Sequence, residues 1–170
     1  MAYRTGTYVA FNGCGTTDPT ASDRKYFEML KAWSASKNVD FNLNDSHDKT
    51  SSVNDSSSLK TLKDRLMERM RKSKNMLVII SEVSNQDRGL LPFEIENGVD
   101  TYGMPVIMAY TDGYGDDPLK KHKLWPKSLK NRIDSKAVKT IHVPFKLENI
   151  KQAVETYGVN NMPRNHITKL

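Results

Sequence analysis

Glu94 is the side chain best placed for chemistry. It lies in GLLPFEIENGVDTYG, near the start of a helical pattern that directly follows the buried-strand run NMLVIIS. That order puts an acid at the carboxyl edge of a parallel sheet, where open α/β folds bind ligands. Phe11-Asn12-Gly13 ends an earlier strand and should face the same edge. Asn12 can offer both a donor and an acceptor, and Gly13 lets a backbone approach closely. Acid and polar cluster together point to a small nucleotide-processing domain. Glu96 is the rival carboxylate. At about 100° per residue, Glu94 flanks the inward stripe of its helix and Glu96 lies further round, toward water. A plainer reading makes both of them surface acids that favour a helix start.

The elements that must position these groups follow from periodicity. Thr7–Phe11 reads as the first strand, and NGCGTTDPTASD after it as a loop. A helix spans about Ser22 to Ser36, with Tyr26, Met29, Leu30 and Trp33 as its buried stripe. Val39–Leu43 alternates like an edge strand. NDSHDKTSSVNDSSS is too polar to pack and reads as a loop able to act as a lid. A helix from about Ser58 to Lys72 carries Leu59, Leu62, Leu66 and Met70 on one side. Asn75–Ile80 is the most hydrophobic strand and should be central. The Glu94 helix turns Leu91, Ile95, Val99 and Tyr102 inward and stops at Gly103. Strands at Met104–Tyr110 and Thr140–Val143 follow, separated by a loop and a basic helical segment. Leu147, Ile150, Val154 and Tyr157 define a last helix.

Five strand–helix alternations give a flavodoxin-like three-layer α/β/α fold with a five-stranded parallel sheet. The order 2-1-3-4-5 puts the amphipathic second strand on an edge and the third inside. The 170 residues make one domain, 1–170, with a peripheral tail from about 159.

Composition narrows the classes. A formal net charge of +6 favours acidic partners without choosing among them. Cys14 is the only cysteine, so no intrachain disulfide or thiolate cluster can form. The four histidines show no close ligand spacing, and no metal site is expected. No apolar run has the length of a membrane helix, and a cytoplasmic protein is expected. Gly13-Cys14-Gly15-Thr16-Thr17-Asp18 lacks the third glycine of a dinucleotide fingerprint. No P-loop is present, and the acids a response-regulator receiver needs do not follow the first and third strands. Cys14 has no identifiable base and reads as inert. Trp125, inside the basic stretch Lys120 to Arg132, reads as a packing anchor.

The arrangement resembles the TIR-like family that includes the TIR-domain subunit of the Thoeris antiphage defence system. The resemblance covers roughly residues 5 to 157 and is strongest in NMLVIISEVSNQDRGLLPFEIENGV. Ser81 and Ser84 match the family's serine positions. Glu94-Ile95 matches its catalytic Glu and neighbour. Leu90 stands where family members carry tryptophan, and Phe93 supplies an aromatic beside the acid. YVAFNG matches the first strand, and FNLNDSH the segment before the flexible loop after strand two.

This resemblance implies cleavage of the nicotinamide–ribose bond of NAD, with a cyclic ADP-ribose-type product in bacterial antiviral defence. Positive charge grows on the ribose as nicotinamide leaves. An ionised Glu94 would stabilise that charge and grip the ribose hydroxyls. Phe11 would stack on a ring, with a core role as the plain alternative. Asn12 and Gly13 would meet the ligand. Asp45, Ser46 and His47 would close over it, and Ser84 would hold a hydroxyl or orient Glu94. NAD is expected as substrate with no further cofactor. Self-association on activation and a downstream effector responding to the product are expected partners; nucleic acid and membrane are not. Two other readings stay open: a non-catalytic TIR-type interaction module, and a nucleoside deoxyribosyltransferase-like enzyme.

Overall fold

A computed structural model of the chain describes residues 4–13, 22–36, 43–44, 56–86 and 89–170. Six parallel strands form one sheet: β1 (Thr7–Ala10), β2 (Leu43–Asn44), β3 (Asn75–Ile80), β4 (Val106–Tyr110), β5 (Thr140–Pro144) and β6 (Ile167–Lys169). Their order is β2-β1-β3-β4-β5-β6. The five strands expected from the sequence stand in the expected order, 2-1-3-4-5. The tail is the addition. It was expected to be peripheral, but it lays β6 beside β5, pairing Thr140 with Ile167 and His142 with Lys169. Val39 to Asn42 lie outside the described residues. The described end of β2 pairs Leu43 with Thr7 of β1.

The helices are α1 (Arg24–Ser34), α2 (Ser56–Lys72), α3 (Leu91–Glu96), α4 (Lys127–Asp134) and α5 (Leu147–Thr156). A π-helical turn, Asn97–Thr101, continues α3, and a 3-10 segment, Pro118–Leu124, precedes α4. Gly103 follows that turn with φ at +62°, a left-handed stop that costs glycine little.

Period-two alternation splits the sheet into two faces. Tyr8 and Ala10 of β1, Met76 and Val78 of β3, and Val106 and Met108 of β4 meet Leu66 and Met70 of α2, Leu91 and Ile95 of α3, and Leu129 of α4. Val9, Phe11, Leu77, Ile79 and Ile107 meet Phe27 and Leu30 of α1 and Ile150, Ala153 and Val154 of α5. β3 is buried along its whole length, as a central strand must be.

Two helical stripes need correction. In α1 Phe27 is buried beside the expected Leu30, whereas Met29 is 43% exposed. Leu59 of α2 is also exposed, while Leu66 and Met70 are fully buried. In both cases helix rotation favours the residues nearest the sheet, and a neighbouring position at the stripe's edge is left in water.

Trp125 is the anchor its sequence context implied. It is buried, and its indole N–H donates to the Tyr110 hydroxyl at 2.9 Å. That hydroxyl lies 2.7 Å from Nδ1 of His142, whose Nε2 lies 2.8 Å from the Thr140 hydroxyl. Burial lowers the pKa of His142 to about 4. The ring is therefore neutral at physiological pH and serves as a junction of the core.

Candidate active site

Glu94 sits in the first turn of α3, its N–H bonded to the Leu90 carbonyl at 2.9 Å. Leu91 and Ile95 on either side enter the core and carry Glu94 in with them. The carboxyl is 1% exposed. Tyr8 reaches it from β1, donating from its hydroxyl to Oε1 at 2.5 Å. Glu96, two residues on, is exposed. The helix rotation that separates the two acids is the one the spacing implies.

The buried setting of Glu94 works against the ionised form that the proposed chemistry needs. Burial pushes its pKa up to about 8, and the Tyr8 hydrogen bond only partly opposes this. Taking a carboxylate out of water disfavours its charge more than a short helix start can restore. Burial thus favours the neutral carboxylic acid over the carboxylate at this position.

Asn12 is 1% exposed, and its amide is committed to the fold. Nδ2 donates to the carbonyls of Val83 at 2.6 Å and Gln86 at 2.8 Å. The backbone carbonyl of Asn12 accepts from the Asp23 N–H at 3.1 Å. Asn12 therefore ties the end of β1 both to the turn after β3 and to the start of α1. Phe11 is 5% exposed and stacks on Phe27, with ring centroids 5.0 Å apart. It packs on the α1 face of the sheet, away from Tyr8 and Glu94. Gly13 is half-buried, and a Cβ there would meet nothing within 4 Å.

Ser84 closes its own turn. Its hydroxyl accepts from the Ser81 N–H at 2.9 Å. It also lies 2.8 Å from the Ser81 carbonyl and 2.6 Å from the Leu124 carbonyl, which joins the turn to the 3-10 segment. Asp45, Ser46 and His47 lie outside the described residues, as does Cys14.

The family model of the Thoeris protein ThsB, TIR-like domain, matches residues 8–116. The chain belongs to this TIR-like family. The match begins at Tyr8 and takes in Phe11, Asn12, Gly13, Asp45, Ser46, His47, Ser84 and Glu94. In the TIR-like domain it runs from β1 through β4, so β5, α5 and β6 lie beyond it.

A cavity of about 380 Å³ opens at the strand tips of this TIR-like domain, walled by Ser22, Asp23, Ser81, Glu82, Thr111 and Asp112. These residues follow β1, β3 and β4, so the cavity stands over the β1/β3 junction where strand order reverses. Asn12 holds two of the segments that frame it, through Asp23 and Val83. Glu94 is not in its wall. Asp23 is 2% exposed, and burial raises its pKa to about 6 against the pull of the Ser81 hydrogen bond and of Lys25.

Sequence reasoning singled out Glu94 and did not single out Tyr8, its hydrogen-bond partner, or the buried Asp23. Tyr8 was read as part of the first strand, and a strand assignment names no partner across the fold. Asp23 followed a loop with no fixed length between β1 and α1. Among the described residues no group of three histidine, cysteine or acidic side chains is placed to hold a metal ion. No described helix is long and apolar enough to cross a membrane. Part of the basic stretch is ion-paired: Lys120 with Asp116 at 2.9 Å, Lys130 with Asp134 at 2.9 Å, and Arg132 with Asp100 at 2.5 Å.

Proposed function

We propose that this TIR-like domain cleaves the nicotinamide–ribose bond of NAD and forms a cyclic ADP-ribose-type signal in antiviral defence. The observation that carries the reading is Glu94. It is a buried carboxyl at the head of α3, gripped by Tyr8 and lying within the family match.

The reaction breaks one C–N bond. Its electron pair leaves with nicotinamide, which departs neutral, and the ribose carbon becomes electron-poor. An intramolecular nucleophile of the adenosine half then closes the ring and releases a proton; water in its place gives the linear product. Stabilising the electron-poor sugar requires ionised Glu94. The nicotinamide ring of bound NAD carries a positive charge, which favours the carboxylate form of a nearby acid. Substrate binding thereby drives the ionisation that the unliganded protein resists. Ground-state burial makes the charge stronger once formed, because little water screens it.

NAD is the substrate in this reading, with no further cofactor. Self-association on activation completes a composite site, and a downstream effector responds to the product.

The test is incubation of concentrated protein with NAD, and separately with deoxynucleosides, with products resolved by mass and chromatography. Glu94→Gln should abolish nicotinamide release, and Glu96→Gln should retain it. Equal activity in parent and both variants refutes the assignment. Turnover of deoxynucleosides alone moves the protein to the deoxyribosyltransferase reading. Silence under forced self-association favours an interaction module.

A further inference from the structure

We infer that Tyr8 is a positioning residue for Glu94: its hydroxyl holds the carboxyl in one rotamer and stabilises the ionised form. The inference deepens the NAD-cleavage reading and rests on it for the kinetic part of its test.

Tyr8 stands in the middle of β1, which is paired on both edges, with β2 and β3. Its backbone is therefore held from both sides by the sheet. Glu94 belongs to a short helix, and the bond between them joins residues 86 positions apart in sequence. A separation of 2.5 Å lies at the short end for an O–H donor on a carboxyl group.

The surroundings argue that the pair is not there for packing. Leu66, Met70, Leu91 and Ile95 make this face of the sheet largely aliphatic. A phenylalanine facing a leucine would fill the space without burying an acid, and buried polar pairs are often no better for folding than apolar ones. A Tyr–Glu pair instead does what an acid needs on its way to ionisation. The hydroxyl can donate to a carboxylate and cannot itself repel it.

Among the described residues, the charged groups nearest α3 have other engagements or face water. On α2, Lys63 lies over the Phe93 ring, 5.1 Å from its centroid. On α4, Arg132 is held by Asp100. On α3 itself, Glu96 is exposed.

The test follows the Glu94 carboxyl by its ¹³C resonance in glutamate-labelled protein, assigned by its absence in Glu94→Gln. In Tyr8→Phe the titration midpoint should move up by on the order of one pH unit. Tyr110→Phe, which removes another buried phenol hydroxyl, should leave it in place. An unmoved midpoint in Tyr8→Phe overturns the inference. Should that variant not fold, 3-fluorotyrosine installed at position 8 is a more acidic donor and should move the midpoint down; no movement overturns the inference equally.

Where NAD is turned over, Tyr8→Phe should lower kcat at least tenfold with KM within twofold, and shift the rising limb of kcat/KM to higher pH. An unshifted limb refutes the role. The titration needs no turnover, so failure of the NAD-cleavage reading and failure of this inference give different results.

Discussion

The Phe11 ring and the Glu94 carboxyl lie on opposite faces of the sheet. Phe11 stacks on Phe27 of α1, while Glu94 meets Tyr8 on the face covered by α2, α3 and α4. One strand residue cannot turn its side chain to both faces. A ring at position 11 that contacted the same nicotinamide as Glu94 would have to leave the core. Phe11→Leu should therefore behave as a packing change. It should cost on the order of 1 kcal/mol in stability, and leave KM for NAD within twofold. Denaturant unfolding and initial-rate kinetics on the same preparation check both parts. A large rise in KM at unchanged stability would restore a stacking role.

Glu94 also gives the fold a pH dependence whose sign is fixed. Its folded pKa, about 8, lies above its ordinary value of 4.5. Between these values the native state holds a proton that the unfolded chain releases, so stability falls as pH rises. The penalty is absent below the ordinary value and complete above the folded one. The full shift would correspond to on the order of 4–5 kcal/mol. Glu94→Gln removes the titration and keeps an oxygen for Tyr8 to bond. The variant should match the parent in acid and exceed it in Tm at pH 9. Thermal melts from pH 5 to pH 9 test this, and parallel curves for the two proteins would refute it.

The architecture was legible because its signals are local and redundant. The apolar run Asn75–Ile80 could only be an interior strand, and the stripe Leu91, Ile95, Val99 could only face inward. The burial of Glu94 and the exposure of Glu96 followed from the same arithmetic, since the angle from that stripe separates the two acids. What was not legible depends on distance in sequence. Asn12 was read as facing a ligand because it ends the first strand at the sheet's carboxyl edge and can both donate and accept. Its true partners, Val83 and Gln86, lie 71 and 74 residues away. Tyr8 and Glu94 are likewise joined only by the fold. β6 escaped notice because a three-residue edge strand carries almost no periodicity.

Asn12 should act as a brace for the loops at the strand tips. Its Nδ2 group serves two loop carbonyls at once. Asn12→Asp replaces that donor with a carboxylate oxygen facing Val83 and Gln86. Acceptor would then oppose acceptor, with the lost hydrogen bonds and desolvation costing about 2–4 kcal/mol. Asn12→Ala should cost less, because nothing repulsive replaces the amide. Amide hydrogen exchange across residues 81–86 should accelerate in both variants, while exchange in β4 changes much less. Uniform acceleration throughout the sheet would show that Asn12 supports the whole fold and not these loops.

Gly98 tests how closely the π-helical turn must approach β3. A Cβ at this position would run into the terminal methyl of Met76 and come within 3.4 Å of the Met104 methyl. Met76 and Met104 are buried, at 0% and 1% exposure, so neither can swing into water. The collision involves the flexible end of an unbranched side chain, which can change rotamer at modest cost. Gly98→Ala should therefore lower stability by about 1–2 kcal/mol, and Gly98→Val, which fills more of the same space, by more. Truncating the obstacle gives the decisive comparison. In Met76→Ala the Gly98→Ala substitution should become nearly neutral, and the double-mutant cycle should return a coupling on the order of 1 kcal/mol. Additive losses in that cycle would mean that the glycine is needed for the backbone of the turn and not for its fit against the strand.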